Sequence, residues 1–197
     1  MIGILLAGGS GTRLSPVTKV ACKLILPVYD RPMIFYPLQT LIESGVKKVI
    51  IVCSPDNRKQ LKTIVDFFPR GKSVHFIFTT QKIPLGMADA IKSCRKFAKN
   101  ENVMVIAGDN IYEDNFREEV DSFKTGALSF LRKVKDPKKF GVPVFRGKRL
   151  VKIVEKPKDP STNWVVTGPH FFDSSVFSLI SILKPSKRGE YEITDLN

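Results

Sequence analysis

The run Leu6-Ala7-Gly8-Gly9-Ser10-Gly11-Thr12-Arg13-Leu14 places three glycines within four residues, then a hydroxyl, then a guanidinium. Glycine tolerates φ > 0 and lets a ligand approach a backbone with no Cβ in the way. Successive exposed N–H groups in such a turn form an anion-binding concavity, and the donor fork of Arg13 suits phosphate oxygens. The run follows an apolar stretch, residues 2–6, that reads as a buried strand. The chemistry indicated is a phosphate cradle, for a nucleotide. Two familiar phosphate loops do not match. A G-x-G-x-x-G pattern starting at Gly9 needs glycine where Leu14 stands. Gly71-Lys72-Ser73 has the tail of a Walker A loop, but Asp66 stands where its first glycine belongs. A tight turn without a ligand is the bland alternative. One glycine would favour it; three glycines with an arginine do not.

Asp109 follows the hydrophobic run 103–107 and Gly108. A carboxylate at the end of a buried strand suits Mg²⁺, which takes a few carboxylates together with phosphate oxygens. Alone, Asp109 reads equally as the cap of a turn; beside a phosphate loop it reads as a metal ligand. Lys23 lies shortly after the loop and could neutralise phosphate charge in a transition state, although a surface lysine is the default in so basic a chain. Glu155-Lys156-Pro157 closes a strand and offers a carboxylate for sugar hydroxyls and an ammonium for a second phosphate.

These residues need a scaffold, and 197 residues suffice for one α/β domain with a substantial core. Apolar and β-branched runs at 2–6, 48–53, 74–79, 102–107, 128–134 and 165–172 read as strands. Residues 142–145 and 150–154 form a hairpin pattern across Arg146-Gly147-Lys148, and 23–28 reads as a short extended piece. Helical spacing marks 33–44, closed by Gly45, then a helix ending near Phe68, and further helices at 87–98, 115–123 and 174–183. Residues 190–197 begin an element and stop. Alternating strands and helices, with strand pairs concentrated in the second half, predict a single Rossmann-like three-layer domain over 1–197 with a mixed, mostly parallel sheet. In such sheets ligands bind at the carboxyl ends of the strands. Three loops leave there: the glycine loop, residues 81–86 and the Asp109 loop.

Composition narrows the partners. The net charge is +13 and the sequence pI about 9.8. The basic residues are dispersed, with no aromatic-basic motif, so a solvated lysine-rich surface or a polyanionic small substrate is favoured over nucleic acid. No run is long enough to span a membrane, and residues 1–6 lack a basic leader region. Cys22, Cys53 and Cys94 are widely spaced, which points to reduced thiols in a cytoplasmic protein. His75 and His170 lack paired ligand spacing and read as structural or surface residues.

The glycine run with Pro16 and Thr18, followed by Lys23 and then Leu26-Pro27-Val28-Tyr29-Asp30 with Pro32-Met33-Ile34, resembles the signature of sugar-1-phosphate nucleotidylyltransferases, within them the thymidylyl enzymes. Further stretches agree in order: Gln81 with Pro84-Leu85-Gly86-Met87-Ala88, Gly108-Asp109-Asn110, Phe140-Gly141-Val142, Glu155-Lys156-Pro157, Thr167-Gly168, Arg188-Gly189-Glu190 and Glu192-Ile193-Thr194-Asp195. The resemblance implies a nucleotide-diphospho-sugar transferase fold. It also implies in-line attack of a hexose 1-phosphate, glucose 1-phosphate above all, on a nucleoside triphosphate, dTTP or UTP, with release of pyrophosphate. Carried over by position, Leu6, Gly8, Gly9, Gly11, Thr12 and Arg13 hold the nucleotide, and Gln81 and Gly86 meet the base. Arg13, Lys23 and Asp109 are the catalytic set, with Asp109 on Mg²⁺. Gly141, Glu155, Thr167 and Gly168 contact the hexose, and Lys156 its phosphate.

Departures from the pattern bear on specificity. Cys22 stands where serine is usual and Leu24 where glutamine is usual. Asp89 replaces a glutamine, Phe140 a tyrosine, and Pro169-His170 a Leu-Tyr pair. The family pattern continues beyond Asn197 to a W-x-D-x-G-type segment with a second metal-binding aspartate, and to helices that often build a homo-oligomer. By sequence order Asp173 is a weak substitute for that aspartate. An alternative function is a nucleotide-sugar binding or regulatory module without catalysis.

Overall fold

The computed structural model describes residues 1–9, 11–69 and 73–196. Ser10 of the glycine loop, the Gly71-Lys72 pair and Asn197 lie outside the described residues.

In chain order the elements are β1 (Ile2–Ala7), β2 (Pro27–Val28), β3 (Arg31–Pro32), α1 (Phe35–Glu43), β4 (Lys48–Cys53), α2 (Arg58–Asp66), β5 (His75–Thr80), α3 (Met87–Lys92), α4 (Arg95–Ala98), β6 (Val103–Ala107), α5 (Arg117–Ser122), β7 (Ala127–Lys133), β8 (Gly141–Arg146), β9 (Arg149–Glu155), β10 (Trp164–Phe172) and α6 (Val176–Ile182). Strands β5, β4, β1 and β6 run parallel in that spatial order. β10 joins β6 antiparallel, β7 and β8 both pair with β10, and β9 pairs with β8. The mixed, largely parallel sheet read from the sequence is the sheet observed.

The inner parallel strands β1, β4 and β6 are apolar along nearly their whole length because both of their faces are covered, whereas the edge strand β5 is half-buried and ends in Thr79 and Thr80. In β1, Leu5 and Ala7 join a core layer with Leu38 and Leu41 of α1 and Leu61 and Val65 of α2. Ile2 and Ile4 face the opposite layer, with Ala88 and Ile91 of α3 and Val176 and Ile180 of α6. β6 divides the same way, Met104 and Ile106 to one side, Val103 and Val105 to the other.

Local chemistry sets the boundaries. α1 carries Pro37 in its first turn, where a missing N–H costs nothing. It ends as Gly45 N–H donates to Ile42 O at 2.9 Å and Val46 N–H to Leu41 O at 3.1 Å. The helix expected at 87–98 is broken into α3 and α4, because Cys94 N–H tightens to Ile91 O at 2.9 Å. The extended piece expected at 23–28 begins instead as a 3₁₀ turn, Lys23–Ile25. Buried Leu24 anchors that turn, and its carbonyl accepts from Ile34 N–H at 2.9 Å, tying it to the start of α1. The element begun at 190 is a 3₁₀ turn, Ile193–Leu196. Tyr191 before it is tied to the loop ahead of α3: its N–H donates to Leu85 O at 2.7 Å and its carbonyl accepts from Ala88 N–H at 3.1 Å.

Candidate active site

The end of β1 delivers the glycine loop to the carboxyl edge of the sheet, between β4 and β6. Gly11 has φ 66°, the left-handed region, and its carbonyl accepts from Thr18 Oγ1 at 3.0 Å. Thr12 to Leu14 then make one 3₁₀ turn with Arg13 exposed. Lys23 folds back beneath the loop, so that a Cβ on Gly9 would lie 3.3 Å from its Nζ. The same Nζ donates to Asp109 Oδ2 at 2.5 Å. Gly9, Gly11, Thr12, Arg13, Lys23 and Asp109 line one cavity of about 790 Å³. Leu24 lines it too, packed so closely on Gly108 that a Cβ there would meet its Cδ1 at 2.7 Å.

Gln81 leaves β5 with its N–H on Cys53 O at 3.0 Å. Its Nε2 donates to Gly86 O at 3.1 Å and Asp89 Oδ2 at 2.7 Å. Its Oε1 faces the glycine loop, 3.4 Å from where a Cβ on Gly8 would stand. Gly86 has φ 105° and lies against the Tyr191 backbone.

A second cavity of about 240 Å³ begins at Leu6 and is walled by Asn110, Tyr112, Phe140, Thr167, Gly168 and His170. The β8–β9 register places Gly141 opposite Glu155, and Gly141 also pairs with Val166 of β10. Glu155 Oε2 accepts from Thr194 Oγ1 at 3.3 Å, while Oε1 lies 3.4 Å from Lys156 Nζ and 3.8 Å from Arg188 Nη1. Lys156 holds φ 44°, a strained conformation for a residue with a Cβ. Its N–H donates to Phe140 O at 3.0 Å, which fixes the turn after β9.

Burial sets the titration of groups around this cavity. It pushes the His170 imidazole down to about 4, so the ring is neutral at pH 7, with Nδ1 2.8 Å from Ser129 Oγ. His170 is therefore a wall of the second cavity, whereas His75 is exposed at the start of β5. Burial, with the Asp109 charge second, raises the Tyr112 phenol above its usual value and keeps it a donor.

Sequence reasoning missed Tyr112 and the Tyr191 backbone as parts of the site, and marked Arg188 and Thr194 only as matching stretches with no role. Tyr112 follows Asp109 by three residues, and that proximity to a strand end is the signal that could have found it. The last segment carried no signal for its position, because its role depends on pairing with a loop about a hundred residues earlier. Asp173 is a correction: it follows the end of β10 that pairs with the start of β6, the opposite edge of the sheet from Asp109. Its carboxylate accepts from Ser175 Oγ and from Gly126 N–H, bonds that hold its pKa down to about 2. It caps a turn and takes no part in this site.

The nucleotidyl transferase family model matches residues 2–197. The chain belongs to that family. A glucose-1-phosphate thymidylyltransferase of Neisseria meningitidis is 41% identical over 203 residues, covering 100% of this chain and 70% of that protein. One from Xanthomonas campestris is 39% identical, covering 99% of this chain and 68% of that protein. Among solved structures, a Bacillus anthracis protein assigned as a glucose-1-phosphate thymidylyltransferase, in complex with a sucrose, superposes with TM-score 0.89 at 40% identity. That match covers 100% of this chain and 81% of the other. A UDP-glucose pyrophosphorylase complexed with UDP-glucose shares the fold, with TM-score 0.84 at 24% identity over 99% of this chain and 84% of the other. The chain has the nucleotide-diphospho-sugar transferase fold of these neighbours, as the family resemblance implies. No helix among the described residues is long and apolar enough to cross a membrane.

Proposed function

We propose that this chain transfers a nucleotidyl group from dTTP or UTP to a hexose 1-phosphate, glucose 1-phosphate first among them. The products are a nucleotide-sugar and pyrophosphate. The observation that carries this reading is the Lys23–Asp109 pair lying beneath the glycine loop, in the same cavity as Arg13. The names of the relatives support it.

The sugar phosphate oxygen attacks the α-phosphorus in line. A new P–O bond forms, the bond to the bridging oxygen breaks, and that oxygen leaves on pyrophosphate with the electron pair. Such chemistry needs positioning and charge neutralisation more than covalent help. The N–H groups of Gly8, Gly9 and Gly11 cradle the triphosphate, with Thr12 beside Arg13 in the same cavity and Leu6 at the end of β1 completing the nucleotide site. Arg13 and Lys23 stabilise the negative charge that grows on the leaving group. Gln81 and Gly86 meet the base. Gly141, Glu155, Thr167 and Gly168 hold the hexose, and Lys156 its phosphate.

The donor set at Asp109 fits Mg²⁺. Oδ2 is engaged by Lys23, while Oδ1 has no hydrogen bond among the described residues. One carboxylate oxygen with triphosphate oxygens and water satisfies an ion that usually keeps several waters. Bound there, Mg²⁺ supplies positive charge to the phosphate oxygens.

Residues 1–197 act as one nucleotidyltransferase domain in this reading. Three free, buried thiols fit a reducing compartment, the cytoplasm. Homo-oligomerisation is supported by exposed Phe145 and Leu150, which face each other across β8 and β9; a monomer mass in sedimentation velocity would remove it. The transfer itself is tested by incubating the chain with glucose 1-phosphate, Mg²⁺ and a panel of triphosphates, then identifying products by mass. A dTDP- or UDP-hexose is expected. Nucleotide binding by calorimetry without any nucleotide-sugar would replace transferase with binding module.

A further inference from the structure

We infer that Asp89 locks the Gln81 amide with its carbonyl toward the nucleotide, making the site select thymine or uracil over cytosine. The inference rests on the nucleotide site proposed above and deepens it.

Two neighbours fix the amide. Nε2 donates to Asp89 Oδ2 at 2.7 Å and to Gly86 O at 3.1 Å. A carboxylate and a backbone carbonyl only accept. A flipped amide would set Oε1 against both of them and lose two bonds, one of them charge-assisted. The amine end must therefore face Asp89, and Oε1 must face the other way. That way is the glycine loop: a Cβ on Gly8 would lie 3.4 Å from Oε1. The Gln81 backbone is held as firmly, since its N–H extends the β4–β5 pairing onto Cys53 O at 3.0 Å.

An orientation fixed in this way is a filter for base chemistry. Thymine and uracil carry a donor at N3, and Oε1 accepts it. Cytosine carries a lone pair at N3 and meets an acceptor. A site built to hydrogen-bond one partner rejects an analogue that leaves its polar group unpaired. A neutral amide at position 89, the residue type of the family pattern, presents either end to Gln81 and leaves the choice to Gly86 alone. The aspartate removes that freedom. Asp89 acts through Gln81 and touches no substrate, so it is a positioning residue.

The test measures equilibrium binding of dTTP and dCTP to the full chain by calorimetry, beside pyrophosphate release with glucose 1-phosphate. The native chain is expected to bind dTTP roughly 10- to 100-fold more tightly than dCTP, the equivalent of a hydrogen bond made against one denied. Asp89→Asn should cut that ratio by about fivefold or more, mostly through weaker dTTP binding. Asp89→Ser, whose hydroxyl accepts or donates, should do the same and serves if the first variant folds poorly. In a Gln81→Leu background, Asp89→Asn should leave the ratio where Gln81→Leu put it. A ratio within about twofold of native in both Asp89 variants, or an equal loss for both nucleotides, overturns the role. So does a further fall of the ratio in the double variant, which would mean a direct contact. Retained discrimination without pyrophosphate release removes the transferase reading and leaves the role of Asp89 standing. Failure to bind either nucleotide overturns both.

Discussion

The Lys23 ammonium stands 2.5 Å from the Asp109 carboxylate, an ion pair joining residues 86 apart in sequence. It ties the turn after the glycine loop to the end of β6. With side chains 22% and 50% exposed, the pair faces the cavity rather than the core. Exposed ion pairs contribute less than about 1 kcal/mol to stability, so the placement serves chemistry. Lys23→Ala and Asp109→Asn should each lower kcat/KM for pyrophosphate release by about 100-fold or more, with thermal melting little changed. Steady-state kinetics beside a melting curve checks both halves. A large melting shift with intact turnover would make the pair structural.

Gly86 joins the base loop to the last segment of the chain. With φ 105° and a would-be Cβ only 2.5 Å from Tyr191 O, neither its conformation nor its surroundings admit a side chain. Gly86→Ala should cost about 1–3 kcal/mol. It should also weaken triphosphate binding, because the Gly86 carbonyl holds Gln81. Denaturant unfolding and calorimetry read the two effects separately.

Arg188 neutralises the buried Glu192 at 3.2 Å and reaches Glu155 at 3.8 Å. Arg188→Ala leaves a buried carboxylate with Ser186 Oγ, at 2.9 Å, as its one side-chain partner among the described residues. It should destabilise the chain by about 1–3 kcal/mol and raise KM for the hexose 1-phosphate more than for the triphosphate. Equal effects on both KM values would contradict the assignment of Glu155 to the sugar.

Much of the site was legible because its residues sit at ends of apolar runs. Gly8 and Asp109 each follow a strand buried on both faces, Gln81 follows the half-buried edge strand β5, and parallel strands carry their loops to one edge. What could not be read depends on contacts between distant segments. Leu24 looked like the loss of a polar group, yet it is a core residue packed on Gly108. Thr194 lies in a stretch with no hydrophobic period and reaches Glu155 only through tertiary folding. Asp173 looked near the site in sequence order, but an antiparallel β10 sends it to the opposite edge.

Burial raises all three thiols, Cys53 up to about 11 and Cys94 up to about 12. Each then keeps its proton in the folded chain at a pH where the unfolded thiol, with a pKa of about 8.5, has lost it. Their contribution to stability is present below about pH 8.5 and declines as pH rises toward 11 and 12. Native protein at pH 8 should label only slowly with a thiol reagent, and all three cysteines should react quickly in denaturant. Rapid labelling of native Cys94 would contradict its placement in the core.

The most direct measurement is pyrophosphate release from dTTP and UTP with glucose 1-phosphate and Mg²⁺, for the native chain and for Arg13→Ala. Release is expected from at least one triphosphate, dependent on the sugar phosphate, and reduced by about 100-fold in the variant. Release that persists unchanged in Arg13→Ala, or none from the native chain with any triphosphate, would contradict the glycine loop as the site of nucleotidyl transfer.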